Sequence, residues 1–291
     1  MRHTWTTILA LASTLTLGCD SDGNETGDAS SGAERAAHWE IDGLEPLEGG
    51  YVYEGWLIID GAPVSTGRFN ATIGETSAGT SEDIEGADGA TSFVLTIEPG
   101  EGDDPAPSAS KLLAGDFDGG AGTLSVAHAA ALGDDFSAAA GQFLVETPTS
   151  EPAEDYANGI WYLDASAGTA SLELPALPQG WQYEGWVVGD EGPVSTGRFD
   201  SAVGADADGA GPTAGPLGFP AFPGQDFIEP PVSLVGASAV ISIEPQPDDS
   251  AAPFLLKPLV AAAIEDVPDK GLQSMDNNAA GTNPTGSFRL Q

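Results

Sequence analysis

Residues Tyr53 to Phe69 read YEGWLIIDGAPVSTGRF, and Tyr183 to Phe199 read YEGWVVGDEGPVSTGRF. Twelve of these seventeen positions are identical at a fixed offset of 130. Each copy opens with aromatic and aliphatic, largely β-branched residues over the length of one strand. A turn such as Asp60-Gly61-Ala62-Pro63 comes next, and the chain then returns through Val, Ser, Thr and Phe. The spacing predicts a β-hairpin over 51–69 and a second over 187–199.

The correspondence reaches beyond the hairpins. Upstream, Leu44, Leu47, Gly50 and Tyr51 match Leu174, Leu177, Gly180 and Trp181. Downstream, Ile97-Glu98-Pro99 matches Ile243-Glu244-Pro245 and Lys111 matches Lys257, now at an offset of 146. A weaker match pairs Gly141-Gln142-Phe143 with Gly286-Ser287-Phe288. The shift in offset locates an insertion of 16 residues within 200–237 of the second copy. Two copies of one unit are too few for a solenoid. Further strands are predicted at 92–98, 111–117, 122–127 and 142–146. The second copy offers 160–164, 170–174, 239–244, 254–264 and 287–290. Helical periodicity is nearly absent. Many short strands between Gly and Pro turns predict an all-β chain of two tandem β-sandwich or partly open barrel repeats, at 38–150 and 151–291.

The ends and the charge set the address. Residues 1–19 read MRHTWTTILALASTLTLGC: a short charged start, an uncharged stretch too short to span a bilayer, then Leu17-Gly18-Cys19. This resembles a bacterial lipobox, so 1–18 reads as a signal peptide and Cys19 as the lipidated first residue of the mature chain. Cys19 is the only cysteine, which leaves no disulfide to stabilise the fold. Residues 20–37 carry almost no large apolar side chain and read as a flexible acidic tether. The 291 residues hold 45 Asp and Glu against eight Lys and Arg, a formal charge of −37. No basic face exists to displace counterions from nucleic acid, and no polybasic patch exists to hold a membrane. The expected partners are therefore the membrane, through the N-terminal lipid, and an exported protein or envelope component.

At these motifs the chain resembles the extracytoplasmic C-terminal domain of anti-sigma-K factors. The residues that carry the resemblance are Tyr53, Trp56, Pro63-Val64-Ser65, Gly67-Arg68-Phe69 and Ile97-Glu98-Pro99, with the proline-rich stretch from Pro105 to Leu113. Tyr183, Trp186, Pro193-Val194-Ser195, Gly197-Arg198-Phe199 and Ile243-Glu244-Pro245 repeat them. The resemblance implies an all-β, non-catalytic ectodomain. The cytoplasmic sigma-binding helices and the zinc motif of a full anti-sigma factor have no counterpart in this sequence.

Candidate sites emerge from the same pattern. A Ser-His-Asp triad would need His38 or His128, and no Gly-x-Ser-x-Gly turn supports either. No His/Cys cluster suits zinc, and no cofactor motif is present, so no catalytic, metal or cofactor residue is assigned. The triplets at Asp20, Asp116 and Asp206 have a calcium-loop flavour but do not continue as an EF-hand. Trp56 and Trp186 occupy equivalent mid-strand positions and read either as ligand-stacking platforms or, by preference, as core anchors. Arg68 and Arg198 are duplicated, as are Glu54 and Glu184 across the same hairpins, which predicts two cross-strand ion pairs. The insertion 209–231 holds six prolines and five glycines with Phe219, Phe222 and Phe227. It reads as a flap that covers one end of the second unit, or as a surface that docks a partner. The function expected from all this is a non-catalytic envelope lipoprotein that senses, binds or scaffolds another exported component. The alternative is an acidic surface or adhesive protein, calcium-dependent in one version.

Overall fold

Both copies of the motif form hairpins in the computed structural model, which describes residues 34–151, 153–247 and 250–291. The signal peptide, Cys19 and nearly all of the expected tether lie outside those residues. The first half of the chain holds β1 (Arg35–Asp42), β2 (Tyr51–Ile59), β3 (Ala62–Phe69), β4 (Ser77–Ile84), β5 (Ala90–Pro99), β6 (Lys111–Asp116), β7 (Ala121–Leu124) and β8 (Ala140–Val145). The second half holds β9 (Gly159–Trp161), β10 (Leu163–Asp164), β11 (Thr169–Ala170), β12 (Leu172–Glu173), β13 (Trp181–Gly189), β14 (Gly192–Phe199) and β15 (Gly224–Asp226). It ends with β16 (Ser238–Pro245), β17 (Leu259–Ala261), β18 (Gln273–Asn277) and β19 (Thr285–Leu290). Among the described residues no helix is long and apolar enough to cross a membrane.

The hairpin β2–β3 turns on Asp60 and Gly61, both at positive φ (51° and 79°), a geometry whose twist suits adjacent antiparallel strands. β2 lies between β3 and β5, so Pro63, which has no N–H to give, sits on an edge strand where the loss costs little. The first half's sheets run β3-β2-β5-β6 and β4-β1-β19-β7. They meet where Ala114 of β6 bridges Ser125, just beyond β7. In the second half the corresponding strands form one continuous, nearly closed path, β14-β13-β16-β17-β18-β8-β9-β15. The architecture is all-β.

Each set of strands is completed by the other half of the chain. β19 lies between β1 and β7, and β8 lies between β9 and β18. These two strands are the ones related by the match of Gly141-Gln142-Phe143 with Gly286-Ser287-Phe288. Phe143 and Phe288 are both buried, at 0% and 2% exposure. The expected boundary at 150/151 thus divides the chain but not the sheets. Phe288 stacks on Phe93 at 5.4 Å and meets Phe117 edge-on at 4.7 Å, so its ring fills the first half's interior. A single cluster of buried side chains runs through both halves, from Tyr53 and Phe93 to Tyr183 and Ile243. Burial of each such side chain stabilises the fold by about 1.5–3 kcal/mol.

Other expectations need adjusting. Strand β1 begins at Arg35, inside the segment read as tether, because Ala37, Trp39 and Ile41 alternate inward against the core. β1, β4, β15 and β18 form where no strand was expected. The strand expected over 254–264 contracts to Leu259–Ala261, with Pro253 and Pro258 interrupting the backbone before it. In two places a tryptophan lies over a glycine of the next strand, Trp39 opposite Gly79 and Trp161 opposite Gly224. A Cβ at either glycine would run into the indole, so both positions exclude a side chain.

Candidate functional site

A bulge explains why the hairpin keeps its glycines, serine, threonine and arginine together. Gly55 pairs with Gly67 but Trp56 pairs with Ser65, which leaves Thr66 as an extra residue in β3. In a regular strand, residues three apart face opposite sides. The extra residue reverses that parity, so Ser65 and Arg68 reach the same face. Ser65 Oγ donates to Glu54 Oε1 at 2.5 Å and Arg68 Nε donates to Glu54 Oε2 at 2.6 Å. Gly67 takes φ 112° at the bulge. Gly55 leaves room for the inward Thr66, whose hydroxyl would collide with a Cβ there.

The second copy repeats each contact. Ser195 Oγ donates to Glu184 Oε1 at 2.5 Å, Arg198 Nε to Glu184 Oε2 at 2.9 Å, and Gly197 takes φ 105°. Glu54 and Glu184 are buried, and the two charge-assisted contacts on each carboxylate offset its loss of water. In the first copy Arg68 also donates to the Pro99 carbonyl at 3.2 Å and is paired with Asp103.

Trp56 and Trp186 present no face to a ligand; they are 3% and 2% exposed. Their indole N–H groups lead into a second duplicated network. Trp56 Nε1 donates to Thr96 Oγ1 at 2.9 Å, and the Thr96 hydroxyl donates to Glu98. Trp186 Nε1 donates to Ser242 Oγ at 2.7 Å, and the Ser242 hydroxyl donates to Glu244. Glu98 also accepts from Ser108 N at 2.8 Å, and Glu244 from Phe254 N at 2.9 Å. Sequence reasoning assigned no role to these two glutamates. Their signal was the repeated Ile-Glu-Pro at offset 146, where a charged residue recurs at the end of an apolar strand.

The strands that end in Glu98-Pro99 and Glu244-Pro245 approach each other between the two copies. Ser110 Oγ lies 3.1 Å from the carbonyl of Gly180 and 3.2 Å from that of Gln246, which ties the halves together there. Beside this contact opens a cleft of about 420 Å³, walled by Tyr51, Ile97 and Pro107 from the first half and Pro245 and Pro247 from the second. Glu98, Asp103 and Asp104 line it as well. Burial pushes the Glu98 carboxyl above the usual range, against the Thr96 and Ser108 hydrogen bonds, and Asp103 and Glu54 push the same way.

The flap residues divide. Phe227 is buried at 6% exposure in the shared core, and Phe222 packs beside Trp161 and Leu163. Phe219 keeps 45% of its surface exposed while stacking on Trp161 at 6.2 Å. The insertion therefore covers the Trp161 side of the second half. Behind it the carboxylate of Asp226, fully buried, accepts from Thr149 N at 2.9 Å, Thr149 Oγ1 at 2.5 Å and Trp161 Nε1 at 2.8 Å. Asp206 is pushed up to about 7, first by burial and then by Asp208 beside it. Asp116 faces His128 at 3.3 Å. His38 lies between Thr80 and Glu40. Among the described residues no three His, Cys, Asp or Glu side chains are grouped to hold a metal ion.

Comparison with known proteins gives one match. The family model described as "Anti-sigma-K factor rskA, C-terminal" matches residues 6–111. That span takes in β1 to β5 and ends on the first residue of β6. The second copy of the motif lies outside it. Neither a curated protein nor a solved structure matches the chain.

Proposed function

We propose that the chain is a non-catalytic lipoprotein of the bacterial cell envelope that senses, binds or scaffolds another exported component. In this reading it is a tandem duplication of one β-module, anchored through lipid on Cys19 and facing away from the cytoplasm. The first module's likeness to the anti-sigma-K C-terminal domain supports an extracytoplasmic regulatory part. The observation that carries the proposal is the cleft between the copies. The duplicated Glu54, Glu184, Trp56 and Trp186 are engaged inside the fold, whereas Tyr51, Pro107 and Pro247 wall an open space that neither copy forms alone.

The test is a photo-crosslinking amino acid placed at Tyr51 in the intact lipoprotein in cells, with the same group at exposed Glu82 of β4 as the control. A discrete exported partner captured from position 51 and not from 82 is the expected result. Equal capture from both positions would remove the cleft as the binding surface. In the same cells Cys19→Ala should leave the membrane fraction or stall in processing; retention after a high-salt wash would remove the lipid anchor.

A further inference from the structure

Glu98 is 0% exposed, yet among the described residues its Oε2 has no hydrogen-bond partner, although Oε1 accepts from Thr96 and Ser108. Across the same cleft the side-chain Nε2 of Gln246 is also buried without a partner among the described residues. A buried acceptor and a buried donor left unmade are each costly, so a fold keeps such a pair where something else completes it. The surrounding charge is predominantly negative. Asp103 and Asp104 line the cleft beside Glu98, and Arg68 is the basic residue paired there, with Glu54 and Asp103. An adjoining cleft of about 160 Å³ shares Tyr51, Ile97, Pro245 and Pro247, and adds Glu45 and Glu48. Together the two make one trough, apolar along its walls and acidic along its floor and rim.

We propose that this trough is a binding site for an extended, basic peptide segment, with a lysine or arginine of the segment on Glu98 and a backbone carbonyl on Gln246. The proposal rests on the binding-protein reading above and names its ligand. Tyrosine and proline walls suit an extended backbone, which slides between flat rings at low ordering cost. The cation answers the unpaired carboxylate oxygen, and the net charge of −37 draws a basic partner towards the protein from a distance. Desolvation inside the trough strengthens the contact, because Glu98 lies where water screens little.

The probe is a fluorescein-labelled octapeptide of alternating proline and lysine, titrated by anisotropy against the full chain in detergent at about 0.15 M salt. The natural chain should bind it, and the same peptide with every lysine acetylated should not bind. Glu98→Gln should weaken binding about tenfold, against less than about twofold for Glu82→Gln, which removes the same charge from the exposed face of β4. Equal losses for the two variants would assign the peptide to the general field and sink the proposal, as would binding of the acetylated peptide.

Should Glu98→Gln fail to fold, Ala106→Arg decides. Ala106 is exposed at the rim, and an arginine there supplies the trough with its own cation. Loss of at least about tenfold supports the site, and unchanged binding overturns it. A partner crosslinked from Tyr51 in cells, with no lysine-peptide binding in solution, would keep the binding-protein reading and discard the basic ligand.

Discussion

The two copies share their hairpins and differ in the segments that leave them. In the first, twenty residues connect β3 to β5 and include β4, a strand whose burial alternates only between exposed and intermediate. In the second, the connection is longer and carries β15, three residues that are all buried. Both strands do the same work at one point, placing a glycine under a tryptophan: Gly79 under Trp39 and Gly224 under Trp161. Their neighbours are not the same. Trp161 gives its N–H to Asp226 at 2.8 Å, whereas the buried Nε1 of Trp39 has no partner among the described residues. Near Trp39 it is Ser81 that meets the chain, accepting from Ala37 N at 2.8 Å. One copy thus closes its edge with a neutral serine at the surface, and the other with a fully buried carboxylate and a proline-rich cover.

The largest test of the comparison is the exchanged strand. Ending the chain after Asn283 removes β19, with Phe288 and its ring contacts to Phe93 and Phe117. Loss of the phenylalanine alone is expected to cost about 3–5 kcal/mol, and loss of the strand more. The damage should start in the first half, since β1 and β7 lose their shared partner while β9 and β18 keep β8. Hydrogen exchange resolved by peptide is the measurement. Protection lost from β1 and β7 ahead of β9 and β18 supports two sheets completed reciprocally. Simultaneous loss would mean that the common core makes both halves one cooperative unit.

A smaller effect separates the two edges. Asp226→Ala strands Thr149 N, Thr149 Oγ1 and Trp161 Nε1 in a dry site, and is expected to cost about 3–5 kcal/mol. Ser81→Ala removes one acceptor near solvent and should cost about 1 kcal/mol. Chemical denaturation of both variants checks the ratio. Matching losses would show that the buried carboxylate adds nothing beyond what the serine supplies, and that the difference between the edges is one of shape.

How much of this was legible in the sequence depends on how local the cause is. The hairpins were legible because aromatic and β-branched residues and turn chemistry sit within one short stretch. The contacts of Glu54 with Arg68 and Glu184 with Arg198 were legible because duplication marked both partners across one turn. The bulge that lets Ser65 share that carboxylate was not, since Thr66 differs from its neighbours only in parity. β4 reads SAGTSEDI, with no apolar face to betray a strand; pairing with β1 makes it one. The strand exchange left no local mark at all. Gly141-Gln142-Phe143 would look the same whichever half it completed, and the choice is set by chain path and packing. The trough was hidden for a related reason, as its walls come from residues far apart that meet only when both copies are folded.

The smallest effect concerns a group that one copy has and the other lacks. At offset 130 from Asp206 stands Thr76, exposed, with its hydroxyl donating to Asp42 at 2.5 Å. Asp206 instead lies against Gly197, accepts from Gly224 N at 2.8 Å and is held up to about 7 by burial and by Asp208. Tyr162, raised in its own right by burial, also faces this charge. Between the ordinary Asp value of 3.8 and about 7 the folded chain keeps a proton that the unfolded chain has released. This contribution to stability is full below the lower value, falls as pH rises through the window and is gone above about 7. Asp206→Asn keeps the shape and removes the titration. Its stability relative to the natural chain should therefore rise from about pH 4 to about pH 7 and then level off, read from urea midpoints at about pH 4.5, 6 and 8. A difference that stays constant with pH would place the fall in stability with rising pH in the general repulsion among the 45 carboxylates rather than in this aspartate. The same measurement on Thr76→Val should show no pH window, because nothing at that position titrates.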